Sequence, residues 1–359
     1  MRLLPVLLLF GLSGPLFAAT LHVDDVGGND TNPGTSDQPL KTIARAVALA
    51  RPGDEIRLAP HPHPLHERLL ITGRSGEPDK PIVFDGGGRT LIGTRPIDPE
   101  EWEEVRPGVY RSTTYLKERL EKEKNPGSFF SRWFLVINGE VQRMGLFDKL
   151  RRPALPAPGE LAPGQWTFSQ EEKAFYFALK PGQTLEEARV EVPHLENGVA
   201  LRGNVAHWII RNLHVRRVIN DGFNFHGACH HILLENISAT ECSDDGMSAH
   251  GECRITVRNF TAERNATGIC HIDASCSEND QVTLKNNIGP NLYLLGTGTH
   301  TFANSRISAL GQGVRIGTKK KNTEDTSEVS VRFVNTTIED KDAAGARYQV
   351  QETGRVIEP

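Results

Sequence analysis

Asp221-Gly-Phe-Asn-Phe-His226-Gly227 and, further along, Asp245-Gly-Met-Ser-Ala-His250-Gly251 share an Asp-Gly entrance, a short alternating strand and a His-Gly exit. The same opening recurs, with drift, at Gly198-Val-Ala-Leu-Arg202, Thr267-Gly-Ile-Cys-His271, Asn291-Leu-Tyr-Leu-Leu295 and Gly313-Val-Arg-Ile-Gly317. A second alternating segment follows each opening: His207 to Arg211, His231 to Glu235, Arg254 to Arg258, Gln281 to Lys285, Thr299 to Ala303 and Glu328 to Arg332. An asparagine then recurs at Asn212, Asn236, Asn259, Asn286, Asn304 and Asn335, leading into a third short strand such as Leu213-His-Val215 or Phe260-Thr-Ala262. Self-similarity at a period of about 23 residues marks a stacked-repeat architecture. Three short strands per period cannot bury their apolar faces alone. Coils stacked about 4.8 Å apart make three parallel sheets around one continuous core. Asparagine tolerates the left-handed backbone of a sharp corner, and its amides bond from coil to coil. A propeller would need longer four-stranded units, and a leucine-rich repeat would show its own Leu/Asn signature. The expected fold is all-β, a parallel β-helix.

The flanking segments fit that frame. Residues 1–19 read as an export signal, with Arg2, an apolar core from Leu3 to Leu12 and a cleavage site at Leu16-Phe17-Ala18-Ala19. The apolar run is short and interrupted by Pro and Gly, so no membrane span is expected, and the protein is expected to be secreted or periplasmic. Residues 20–94 form an N-terminal cap and the first coils. In it Leu40 to Arg51 is an amphipathic helix with Ile43, Ala46, Val47 and Ala50 on one face, covering the open end of the solenoid. Asp85-Gly-Gly-Gly88 is expected as a tight turn. Residues 95–190 break the rhythm with Trp102, Trp133, Trp166 and a hairpin centred on Asn138-Gly139, and read as an inserted β-rich subdomain. The main coils occupy 191–341 and a tail 342–359.

Composition limits the function classes. The net charge is −4, and the only basic run, Lys319-Lys320-Lys321, suits a solvated loop, so no nucleic-acid partner is expected. The odd count of 5 cysteines argues against a disulfide framework. Cys229 and Cys253 occupy equivalent positions on adjacent coils, close enough for a bridge.

Strand alternation separates inward from outward side chains. Val199/Leu201, Phe223/Phe225, Met247/Ala249, Ile269, Leu292/Leu294 and Val314/Ile316 point inward. The outward set is Ala200/Arg202, Asn224/His226, Ser248/His250, Cys270, Tyr293/Leu295 and Arg315, with Asp221, Asp244 and Asp245 at the strand entrances. The second strand's outward residues look dispersed. Asp221 and Asp245 on neighbouring coils stand about 5 Å apart. A pair that close suits one protonated acid beside one carboxylate, the requirement of glycosidic cleavage. Asp-Gly is also common in plain turns. Asp244 would assist, with His226 and His250 as proton-transfer or substrate residues. Arg315, Asn224, Ser248, Tyr293 and Arg202 would bind substrate. His271 faces differently and suits a packed core. No cofactor is required, although these carboxylates leave a calcium ion open.

Asn29-Asp-Thr-Asn-Pro-Gly-Thr35, Pro39-Leu-Lys-Thr-Ile43 and Pro52-Gly-Asp54 resemble the N-terminal signature of secreted right-handed β-helix proteins of the pectate-lyase-like superfamily. The insertion from Phe134 to Met144 resembles a β-domain found in some of its glycosidases. The series Asp221-Gly-Phe, Asp244-Asp245-Gly, Gly313-Val-Arg315-Ile is similar to polygalacturonases. Ile219, Thr267 and Gly317 stand where that family has Asn, His and Lys. The resemblance implies a right-handed helix and a polysaccharide or oligosaccharide substrate. It implies a hydrolase, a β-eliminating lyase or a glycan-binding surface protein.

Overall fold

The computed structural model describes residues 18–122, 130–143, 155–308, 313–317, 329–339 and 355–357. Residues 1–17 of the segment expected as an export signal, the Lys319–Lys321 run and most of the tail lie outside them.

The alternating residues of each first strand behave as their pattern requires. Val199, Leu201, Phe223, Phe225, Met247, Ala249, Leu292, Leu294, Val314 and Ile316 all lie in one continuous hydrophobic core. Their strands form a seven-stranded parallel sheet. It runs from Leu69–Thr72 through Val199–Gly203, Phe223–Gly227, Asp245–Ala249, Thr267–His271 and Leu292–Leu295 to Val314–Gly317. A twelve-stranded parallel sheet closes the solenoid, beginning at Thr20–Val23 and reaching Arg355–Ile357 in about ten turns.

The expected second and third strands of a coil run on as one. Ala206–Arg216, His230–Thr240, Arg254–Glu263 and Cys276–Lys285 are each continuous in the hydrogen-bonded sheet. Each bends midway at a left-handed residue: Asn212 (φ 53), Asn236 (φ 52), Asn259 (φ 55) and Gln281 (φ 56). One residue outside the β region turns the chain through a corner without breaking the ladder, so three faces share two sheets. Asp85-Gly-Gly-Gly88 likewise sits inside the strand Ile82–Ile92, as the corner of its coil rather than a terminal turn.

The exposed ladder is made by amides in series. Asn236 Nδ2 donates to Asn212 Oδ1 (3.2 Å), and Asn259 Nδ2 to Asn236 Oδ1 (2.9 Å). Asn286 does not belong to it. Register places Gln281 beside Asn259, and Asn286 (φ 54) falls at the next corner, with Arg217, Glu241 and Arg264. A second ladder, inside the solenoid, links Asn265, Asn287 and Asn291. Asn265 Nδ2 donates to Asn287 Oδ1 (3.1 Å), and Asn287 Nδ2 to Asn291 Oδ1 (2.7 Å).

The cap helix spans Ile43–Leu49, shorter than Leu40 to Arg51. Thr42 caps it by accepting from Arg45 N–H, and Leu40 is taken into a bridge with Val23. Ile43, Ala46 and Val47 are its buried face.

Two four-stranded antiparallel sheets interrupt the coils. One joins Glu103–Arg106, Val109–Ser112, Ala174–Ala178 and Trp166–Ser169. The other joins Thr94–Pro96, Glu191–Pro193, Phe134–Ile137 and Glu140–Arg143. The hairpin turns at Asn138 (φ 52) and Gly139 (φ 82), where the left-handed backbone suits Asn-Gly. An aromatic core holds them, with Trp133 stacked on Phe175 (4.8 Å) and edge-on to Trp166 (4.4 Å). Ile219 of the solenoid joins that core, and Arg143 donates to the carbonyls of Glu241 and Cys242. These contacts seat the insertion against the coil carrying Asp221.

Candidate functional site

In the seven-stranded sheet the backbone register sets Ala200, Asn224, Ser248, Cys270, Tyr293 and Arg315 side by side. At the entrances to these strands the carboxylates of Asp221, Asp244 and Asp245 converge. One oxygen from each lies within 4.8 Å of the others, and each residue is only 3% exposed.

Asp221 is fixed from three sides. Its Oδ2 accepts from Asn224 Nδ2 (2.6 Å) and Ser248 Oγ (2.6 Å), and its Oδ1 accepts the Asp245 backbone N–H (3.0 Å). Asn224 and Ser248 are therefore buried partners of Asp221 (2% and 0% exposed) rather than outward substrate contacts. Asn224 holds the carboxylate of its own coil, and Ser248 reaches it from the next.

Arg132, from the insertion, completes the cluster. One of its nitrogens pairs with Asp244 Oδ2 (2.7 Å), and another donates to Asn220 Oδ1 (2.7 Å). Asn220 in turn donates to Asn197 Oδ1 (3.0 Å), which also accepts the Asp221 N–H (3.2 Å). Burial disfavours the Arg132 charge, but Asp244, Asp221 and Asp245 outweigh it and push its pKa above the usual arginine value. Nothing in the sequence marked Arg132. It precedes a strand of the insertion, 112 positions before Asp244 in the chain.

Beside the cluster runs a column of exposed Arg202 and His226 and half-buried His250. Arg202 is in register with His226, and the His226 and His250 rings stack at 4.1 Å with planes 7° apart. Burial depresses the His226 pKa further than the Asp221 charge raises it, and Arg202 depresses it too, so His226 is mainly neutral at pH 7. Tyr293 and Arg315 are half-buried and stand apart from this group. Arg315 is three coils beyond Ser248, about 14 Å at the usual strand spacing.

The carboxylate trio has the oxygen chemistry calcium prefers. Yet Asn224, Ser248 and the Asp245 N–H donate to Asp221, and the Arg132 cation holds Asp244. These donors leave fewer lone pairs for a cation on Asp221 and Asp244.

Two other expectations change. Cys229 and Cys253 are free, buried thiols on adjacent coils, each donating to a backbone carbonyl: Cys229 to Gly203 and His226, Cys253 to Gly227, all at 3.6 Å. The outward side of the second strand is not dispersed, because His207, His230 and His231 gather there. His271 lies fully buried in the solenoid interior, stacked 5.4 Å from His300.

Residues 197–325 match a family model described as a right handed beta helix region, and residues 26–63 match a protein family of unknown function, DUF1565. The chain is a right-handed parallel β-helix, the hand nearly all parallel crossovers adopt. Among solved structures it is similar to XylC in complex with xylose (13% identity, 89% of this chain and 70% of that one, TM-score 0.49). It is also similar to a glycoside hydrolase (12% identity, 89% and 95%, TM-score 0.39) and a pectate lyase (10% identity, 91% and 78%, TM-score 0.41). No curated protein sequence matches it. Among the described residues no helix is long and apolar enough to cross a membrane.

Proposed function

We propose that this β-helix is an exported carbohydrate-active hydrolase, cleaving glycosidic bonds of a polysaccharide or oligosaccharide at the Asp221–Asp244–Asp245 cluster. The observation carrying this is the convergence of three carboxylates within 4.8 Å beside one guanidinium. Glycosidic cleavage needs a carboxyl to protonate the leaving oxygen and a carboxylate to stabilise or attack the sugar centre. Asp221 is saturated with donors and serves as the positioning residue. Asp245 and Asp244 are the reacting pair, with Arg132 orienting Asp244. Exposed Arg202 and His226, with half-buried His250, supply the sugar-facing contacts.

A second assignment has its own support. A neutral, exposed His226 beside the Arg202 cation offers a base and a carboxylate neutraliser, the two needs of β-elimination from a uronate. The two are separated by incubating the protein with neutral and uronate-containing glycans while following reducing ends and ultraviolet absorbance. Hydrolysis releases reducing ends without an absorbing product, and elimination makes an unsaturated, absorbing one. Asp245→Asn is expected to abolish turnover with its fold intact. Full activity in that variant would show the cluster to be a structural staple, and an absorbing product would install the lyase.

A further inference from the structure

The face opposite in role to the carboxylate face carries a second chemistry. His207 and His231 occupy the same position on adjacent coils, immediately before Trp208 and Ile232, which pair in register. Both adopt left-handed backbone, φ 57 and 53, where an asparagine or glycine is the ordinary choice. That geometry lifts both imidazoles off the sheet together, and they stack at 4.5 Å with planes 10° apart. His230 approaches edge-on, 5.0 Å from the His231 ring and 5.9 Å from that of His207. The Nδ1 atoms of His230 and His231 lie 2.8 Å apart. A hydrogen bond between two imidazole nitrogens requires one of them to be a bare lone pair, so an unprotonated nitrogen is already held in the cluster.

One nitrogen from each of the three histidines lies within 4.8 Å of the other two. Ligands bound about 2.0–2.1 Å from one ion lie within roughly 4 Å of each other, so small side-chain rotations close the cluster around a cation. His230 and His231 also border a cavity of about 390 Å³ that continues past Arg254, Cys276 and Glu278. It leaves room for the water or ligand that fills the remaining coordination position.

We propose that His207, His230 and His231 form a binding site for a late first-row divalent transition-metal ion, zinc above all, which clamps two successive coils of the solenoid. Three imidazoles select borderline-soft cations over calcium or magnesium, which take oxygen ligands. The site is independent of the carboxylate cluster and of the reaction assigned to it. Two of its ligands come from one coil and one from the coil before, so the ion adds a tie between the two coils beyond their hydrogen-bond ladder and side-chain contacts.

The test uses the full chain without a histidine tag. Cobalt(II) and zinc(II) are titrated at pH 7.5, cobalt being followed by its visible absorption. One ion per chain is expected, with affinity falling as the pH is lowered through the imidazole range. His231→Asn and His207→Asn keep a residue that tolerates the left-handed backbone, so the fold is retained, and each is expected to weaken binding at least roughly tenfold. Zinc should raise the melting temperature of the parent protein and not that of the double variant. His61→Ala, at the separate Asp24–Asp25–His61 cluster, should leave the cobalt spectrum unchanged. Absence of binding at about 100 µM metal would overturn the proposal. So would unaltered binding in the folded double variant, or a spectrum abolished by His61→Ala alone.

Discussion

Asp221 accepts the backbone N–H of Asp245 at 3.0 Å, so a carboxylate of one coil fixes the position of the carboxylate on the next. The bond explains why the Asp-Gly entrance repeats. Gly222 and Gly246 lie where a Cβ would press within 2.7 Å of the next coil's backbone, which lets the two entrances approach. Asp221 is therefore a support for its neighbours rather than a reacting group.

Asp221→Ala is expected to lower stability by about 3 kcal/mol in urea unfolding, because it strips the acceptor from Asn224, Ser248 and the Asp245 N–H at once. Asp221→Asn, which keeps one acceptor oxygen, should cost about half as much.

Arg132→Met should reduce stability by about 1–3 kcal/mol, since it leaves Asp244 with a buried charge and no guanidinium. The cost falls below that of a fully buried pair because a third of the Arg132 side chain (33%) is in solvent. Turnover should fall more steeply than stability if Asp244 reacts, and in parallel with it if the pair is only structural.

Acid should weaken the solenoid through its interior histidines. Burial pulls His300 from its ordinary value near 6.5 to about 4, and desolvation then His300 hold His271 well below its own. Below pH 6.5 the unfolded imidazole takes up a proton that the folded one refuses until about pH 4. The stability is thus fully present above 6.5 and is lost as the pH falls toward 4. For His300 the loss is about 3 kcal/mol. Unfolding free energy measured from pH 7 to 4 should fall by that amount less in His300→Phe.

The two asparagine ladders should differ sharply. Asn265 is fully buried, accepts from the Cys242 N–H (2.9 Å) and donates to the Ala239 carbonyl (3.0 Å) as well as to Asn287. Asn265→Ala is expected to cost about 3 kcal/mol. Asn236→Gly, on the exposed ladder, keeps its left-handed corner and should cost no more than about 1 kcal/mol by chemical denaturation.

The sequence by itself determined the coil, the strand alternation, the inward residues and the adjacency of Asp221 and Asp245. A repeat fixes all of these by translation: residues one period apart must become neighbours, and period two assigns their faces. It misplaced Asn286, because an asparagine marks a corner without saying which, and only the backbone register sets Gln281 beside Asn259. It also gave Asn224 and Ser248 an outward face without showing that Asp221 would claim their hydrogen bonds. Arg132 and the gathering of His207, His230 and His231 belonged to the tertiary structure alone. The first depends on how an insertion docks on the solenoid, and the second on a left-handed residue that lifts two rings off the sheet. The Arg132 contact does not recur with the period, and although His207 and His231 stand one period apart, the repeat does not say that His230 turns its ring toward them.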